Sequence, residues 1–442
     1  MRMPDTEPNK QSDFMIEKIK ERPINKKKLL RKIVTTVCMA VIFGLIACLT
    51  FLILEPVFNN WLYPEEEPPL VILPEESDEM APEDMLVDEY DESSLQEVVE
   101  SVILEDEQLQ KILENLQMDK RHYEQLYNTM ASYTHELETS MVVVTGVTSD
   151  VDWLNNTYES EGQTSGVIVY TNGQEYFILT DSATVRGAES ILVTFNDGTS
   201  AAAELRQWDR QTGLAVVAVQ LEGLPESTRT GTRVATLGSS NMRNPVGIPV
   251  VALGAPMGTV GSAGYGMLSS ASSIMSTVDA NYKLFTTDIY GSGQATGVLF
   301  NMQAQMIGVI IPGGGGADRR NAVTAIGISE LKKLIENMSN GKEPAYLGIS
   351  GVDVTAVANR EMGVPFGAYV REVAMDSPAM LAGIQRGDVI VELEGSSIEN
   401  FTNYTTTLQR LEAGQTVTVV IQRLSQNSYR EISMEITLGT AE

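Results

Sequence analysis

The side chains able to do covalent or metal chemistry are few in this 442-residue chain: two histidines, two cysteines and scattered hydroxyls. His122 and His135 stand thirteen positions apart. They therefore cannot share a helix face as an i,i+4 metal pair does. Cys38 and Cys48 sit in one apolar run, so nothing else in the chain can form a disulfide framework, a thiolate nucleophile or a Cys-rich zinc site. The glycine run 313–316 continues as Ala317-Asp318-Arg319-Arg320 and lacks the G-K-[ST] ending of a phosphate loop. No D-x-D-x-D-G calcium spacing occurs. The sequence thus predicts no metal site and no cofactor. Its 31 basic and 59 acidic residues, net −28, exclude a nucleic-acid partner, which needs a basic face to displace counterions.

The elements that must carry the remaining chemistry can be placed along the chain. Residues 1–32 hold ten basic and five acidic residues and read as a cytoplasmic basic tail. Residues 33–54 carry no charge. As a helix they would rise about 33 Å, enough to cross a hydrocarbon core of about 30 Å. With Lys26-Lys27-Lys28 before them and Glu55 after, the positive-inside rule puts the N-terminus in the cytoplasm. The expected localisation is a single-pass cell-membrane protein with all later domains extracytoplasmic. Residues 55–92 form an acidic, Pro-rich linker; from Pro64 to Glu107 there are 18 acidic residues and no basic one. That composition predicts a solvated spacer. Residues 93–138 carry a seven-residue apolar repeat that includes Leu109, Leu113, Leu116, Tyr123, Tyr127, Met130 and Leu137. It predicts a helical stalk, either a coiled coil between chains or one amphipathic helix packed on its own domain.

After Met141 the pattern turns to short alternating or apolar runs such as 165–170, 176–180, 190–195 and 214–221. Asn172-Gly173 and Asn196-Asp197-Gly198 supply hairpin-turn chemistry. A helix is predicted over 329–338, with Leu331, Leu334, Ile335 and Met338 at i, i+3, i+4, i+7.

Several of these motifs together carry a resemblance. Ser165-Gly166-Val167-Ile168, Phe177-Ile178-Leu179-Thr180, Val193-Thr194-Phe195-Asn196-Asp197-Gly198 and Gly213-Leu214-Ala215-Val216-Val217 follow in order. Leu253-Gly254-Ala255-Pro256, Gly297-Val298-Leu299-Phe300-Asn301 and Ile307-Gly308-Val309-Ile310 continue the series. It resembles the HtrA-type trypsin-like serine proteases. Tyr346-Leu347-Gly348-Ile349, Asp376-Ser377-Pro378-Ala379 and Arg386-Gly387-Asp388-Val389-Ile390 then resemble a PDZ domain. The resemblance implies a mainly β fold: a trypsin-like double six-stranded β-barrel (139–340) and a C-terminal PDZ domain (345–442), preceded by a transmembrane helix and a helical stalk.

By the same resemblance, the histidine, aspartate and serine of the triad would fall at Ala183, Gly213 and Ala295. Since both histidines precede residue 139, the barrels hold no histidine base. A serine without a base is a poor nucleophile. The resulting expectation is a pseudoprotease, not an enzyme, that binds polypeptides or envelope proteins. The alternative is an active serine-type endopeptidase in envelope protein quality control, using a non-standard dyad such as Ser292–Lys283. In the PDZ segment the resemblance assigns peptide binding to Tyr346, Leu347, Gly348 and Ile349, with backbone amides facing a peptide's C-terminal carboxylate. A helix near 402–411 would form the other groove wall. Expected partners are polypeptide C-termini or unfolded exported proteins, the membrane through one helix, and further copies of the chain, as a trimer by resemblance.

Overall fold

In the computed structural model, alternate residues of single strands feed two different cores, and this is what joins the barrels. The structure describes Met39, Phe43 and residues 70–73, 120–151, 157–313, 321–426 and 428–440. Strands β1 (Met141–Val151), β2 (Thr157–Thr171), β3 (Glu175–Asp181), β4 (Ser190–Thr194), β5 (Ser200–Trp208) and β6 (Leu214–Gln220) form a closed barrel in the order β1-β2-β3-β6-β5-β4. Tyr176 and Ile178 of β3 and Ala215, Val217 and Val219 of β6 point into that barrel. Their neighbours Phe177, Leu179, Leu214, Val216 and Ala218 pack into a second core outside it. A strand covered on both faces reads as an unbroken apolar run, which is why β3 and β6 show so little alternation.

A short strand, β7 (Thr236–Leu237), precedes the second barrel. The barrel itself comprises β8 (Pro249–Ala255), β9 (Ser262–Ser276), β10 (Asn281–Tyr290), β11 (Thr296–Asn301), β12 (Gln305–Ile310) and β13 (Ala322–Gly327). The β11–β12 pairing closes the order β11-β8-β9-β10-β13-β12 into a ring, with β7 attached to β12 in parallel. Val250 and Ala252 point inward with Phe285, Leu299 and Ile307, while Val251 and Leu253 join the shared core. The predicted pair of six-stranded barrels is therefore present. The predicted helix 329–338 runs over Ile328–Ser339. Its Leu331, Leu334, Ile335 and Met338 are all buried in the shared core, and each such side chain contributes about 1.5–3 kcal/mol of burial.

The PDZ portion begins with β14 (Ala345–Tyr346) and β15 (Ile349–Asp353), followed by β16 (Ala368–Val373), β17 (Val389–Leu393), β18 (Ser396–Ser397), β19 (Thr416–Ser425), β20 (Ser428–Thr437) and β21 (Gly439–Thr440). One sheet runs β15-β16-β17-β19-β20, leaving β15 at an edge. The groove-wall helix predicted near 402–411 is Phe401–Leu408, capped by the Asn400 side chain.

Four predicted elements, the tail, the membrane span, the acidic linker and the stalk, fall wholly or partly outside the described residues. Apart from Met39 and Phe43, the predicted membrane span 33–54 lies outside them, as does the tail 1–32. Among the described residues no helix is long and apolar enough to cross a membrane. Of the predicted stalk, only the helix Lys120–Glu138 is described. Its last turns pack on the chain's own barrels: Leu137 enters the shared core, and the Thr134 hydroxyl lies 2.8 Å from that of Tyr265. That contact is the own-domain packing weighed against a coiled coil.

Within the acidic linker the described segment 70–73 is not solvated throughout. Val71 and Leu73 are buried in the shared core. Val71 N donates to Asn340 Oδ1 and Asn340 Nδ2 donates to Val71 O, both at 2.9 Å. The composition of the linker hides two apolar residues that find a partner helix.

Candidate functional site

Two concave regions hold the residues singled out above. The first is the cleft between the barrels, lined by Ser165 and Thr180 from β2 and β3, Asp181, the loop residues Thr212 and Gly213, and Thr296. The Asp209 carboxylate folds that loop, accepting from Thr212 N at 2.7 Å and from the Thr212 hydroxyl at 2.6 Å. Gly213 adopts φ +72°, a left-handed turn conformation. Asp181 closes β3 by accepting from Ala183 N at 2.8 Å. Burial pushes the Asp181 carboxyl up, and that amide bond pulls it back. Among the cleft-lining residues Asp181 is the one titratable group.

Ala183 is the second residue of the short helix Ser182–Val185, Gly213 lines the cleft, and Ala295 is buried directly before the cleft residue Thr296. The three resemblance-derived positions lie on or next to one cleft. Opposite strands meet there very closely. A Cβ on Gly297 would lie 2.0 Å from the Leu253 carbonyl oxygen, and one on Gly254 would lie 2.5 Å from Ser165 Oγ. Thr164 and Thr296 hydroxyls approach to 3.3 Å. Ser165 Oγ is buried and, among the described residues, has no hydrogen-bond partner. In the sequence, Ser165 opens an ordinary strand motif and carries no mark that separates it from a packing serine.

The candidate dyad is engaged elsewhere. Lys283 Nζ donates to Ser240 O at 3.1 Å, and Ser292 Oγ accepts from Gln294 N at 3.2 Å within its turn. The histidine His135 is exposed, with Nδ1 3.3 Å from Glu138 Oε2. Among the described residues no cluster of His, Cys, Asp or Glu could hold a metal ion.

The second region is the PDZ groove. Backbone amides of Leu347, Gly348 and Ile349 do converge on a carboxylate. It is the side chain of Asp279, at the tip of the β9–β10 hairpin. Leu347 N and Gly348 N donate to Asp279 Oδ2 at 2.9 and 2.7 Å, and Ile349 N donates to Oδ1 at 3.0 Å. The Tyr404 hydroxyl donates to Oδ1 at 2.6 Å. Tyr346 borders the same loop; burial and the Asp279 charge push its phenol up. Burial likewise pushes the Asp279 carboxyl up, against four donors that pull it down. Gly348 makes the loop possible. It has φ +93°, and a Cβ there would lie 2.2 Å from Ser377 Cβ.

The comparisons with known proteins agree with this architecture. Residues 164–309 match the trypsin-like peptidase domain and residues 345–435 the PDZ domain. A putative serine protease HhoB of Synechocystis is 28% identical over 60% of this chain and 64% of its own length. The periplasmic pH-dependent serine endoprotease DegQ of Escherichia coli is 27% identical over 64% of this chain and 60% of its own length. The chain therefore spans less than two thirds of these relatives. A solved structure described as the HtrA-type protease AlgW with decapeptide matches 71% of this chain and 99% of that one, with TM-score 0.50 and 21% identity, a likeness of fold. In its order of a trypsin-like peptidase domain followed by a PDZ domain, the chain is similar to HtrA-type serine proteases.

These names correct one expectation. The absence of a histidine in the barrels predicts a chain that is not an enzyme. The relatives it matches are named serine proteases and endoproteases, and they point to a serine protease instead. The expectation leans on three triad positions that only the resemblance assigns, whereas the cleft between the barrels is present and is lined by Ser165, Thr180, Asp181, Thr212 and Thr296.

Proposed function

We propose that this chain is a membrane-anchored, extracytoplasmic HtrA-type protein that captures extended polypeptides. The interbarrel cleft takes an internal segment, and the PDZ groove takes a C-terminus. One observation carries the reading: three consecutive backbone amides, 347–349, converge on a single carboxylate at 2.7–3.0 Å. A loop that holds one carboxylate this way has the donor set for a peptide's terminal carboxylate. The neighbouring edge strand β15 offers backbone for strand addition. The membrane anchor rests on the uncharged run 33–54 and the basic residues before it.

The second reading, serine-type endopeptidase activity in envelope protein quality control, is favoured by the names of the relatives. One experiment addresses both. The full chain is mixed with denatured fluorescein-casein, and polarisation and fragment release are followed together. A rise in polarisation is expected. No rise at micromolar protein sinks the capture reading, and fragment release sensitive to a fluorophosphonate establishes the second.

A further inference from the structure

The hairpin tip in the PDZ groove is bound as a ligand would be. Its contacts go beyond the carboxylate. Asp279 N donates to Ile349 O at 2.7 Å, a main-chain bond to the edge strand β15. On the far wall the Thr405 hydroxyl donates to Asp279 O at 3.0 Å. Two residues on, Asn281 Nδ2 donates to Gly351 O at 3.0 Å, further along the same edge. A short stretch of the β-barrel thus takes both the anion position and the strand position of the groove.

The tip itself is shaped for this. Thr277 N and the Thr277 hydroxyl both donate to Ala280 O, at 2.9 and 3.0 Å, closing a tight loop. Asp279 stands at its apex with φ +62°, a left-handed conformation that a residue with a side chain adopts at a cost. Its side chain is buried, 7% exposed, and its carboxylate has four donors and no need of water. Strain at an apex combined with complete satisfaction of the buried anion is the pattern of a docked element rather than a free turn.

We propose that Asp279 is an internal stand-in for a peptide's C-terminal carboxylate and holds the PDZ groove closed to C-termini from outside. This rests on the reading of the groove as a polypeptide site and adds its regulation. Both carboxylates need the same amides, so only one can be bound at a time. External peptides see only the fraction of molecules in which the hairpin has left, and their apparent affinity is lowered by that fraction. Two substitutions open the groove without loss of the turn. Asp279→Asn keeps size and tolerance of positive φ, and Asp279→Gly removes the side chain while suiting φ +62°.

The test uses the full chain, wild type and both variants, with two readouts. One is hydrogen exchange of the amides 347–349. The other is binding of a random fluorescent decapeptide pool with free C-terminal carboxylates, set against the same pool amidated. The expected result is faster exchange in both variants and binding of the free-carboxylate pool at least about tenfold tighter than in wild type, with no gain for the amidated pool. Wild type binding the free-carboxylate pool as tightly as the variants overturns the proposal. So does unchanged exchange in Asp279→Gly. Faster exchange with no binding of either pool leaves Asp279 as the occupant and instead overturns the groove as a polypeptide site.

Discussion

Two hydroxyls show how differently the cleft and the groove are built. Ser165 Oγ, buried between the barrels, has no partner among the described residues, whereas the Tyr404 hydroxyl in the PDZ groove gives a 2.6 Å bond to Asp279. In the cleft, polar atoms are held near one another by close backbone approach, and the Ser165 hydroxyl remains unpaired. In the groove every polar atom of the Asp279 carboxylate is matched. An unpaired buried hydroxyl is a liability to the free protein and an opportunity for a ligand. A carboxylate matched by four donors is stable as it stands, and a ligand must compete for its place. Of the two hydroxyls, that of Ser165 is the one with a bond left to give.

The largest test of that contrast removes the glycine geometry on each side. Gly297→Ala in the cleft and Gly348→Ala in the groove each force a Cβ to within 2.0–2.2 Å of another atom at positive φ. Each is expected to cost about 3 kcal/mol through strain and overpacking, read as a lower urea midpoint. Gly297→Ala should shift the barrel transition and Gly348→Ala the exchange of PDZ amides. Equal effects on both regions would erase the distinction between them.

Next comes Tyr404→Phe. It takes a donor from a buried carboxylate, and the expected loss is about 1.5–3 kcal/mol, by chemical denaturation. A loss below about 0.5 kcal/mol would mean that water replaces the phenol and that the groove is less closed than its geometry says.

Alkaline titration gives a smaller effect on both regions at once. Burial pushes the phenols of Tyr282, in the shared core, and Tyr404 above their ordinary range. The folded state thus holds protons that the unfolded chain releases above about pH 10. Their contribution is complete below that pH and is lost as pH rises beyond it, by up to about 1.4 kcal/mol per unit for each phenol. Absorbance of tyrosinate near 295 nm should rise for these two only as the protein unfolds. Early titration of either one would place water beside it. The smallest expected effect is Ser165→Ala. Removal of an unpartnered hydroxyl should alter stability by no more than about 0.5 kcal/mol, and a clear loss would reveal a partner for it.

Much of the fold is legible because its signals are local. Asn172-Gly173 makes the β2–β3 turn with Gly173 at φ +85°, and the i, i+3, i+4, i+7 pattern gives the helix Ile328–Ser339. The apolar runs give β3 and β6, although which residue faces which core follows only from their neighbours. The carboxylate loop was legible by resemblance, but its occupant was not. Val278-Asp279-Ala280 carries no mark of a ligand, and the residues it binds lie 68 to 126 positions further on. Contacts at that separation leave no periodic trace. The same is true of Val71 and Leu73, two apolar residues in an acidic stretch whose partners lie more than 260 positions away.

That last contact has a mechanical consequence. The chain grips its barrels twice: at 70–73, against the helix Ile328–Ser339, and again at the helix Lys120–Glu138. Tension arriving from the N-terminal side meets the first grip, made of two buried side chains and the paired bonds of Asn340, and is passed to the helix that leads into the PDZ segment. The second grip bears no load until the first gives way. The segment 70–73 thus couples the N-terminal side of the chain directly to the helix that leads into the PDZ segment.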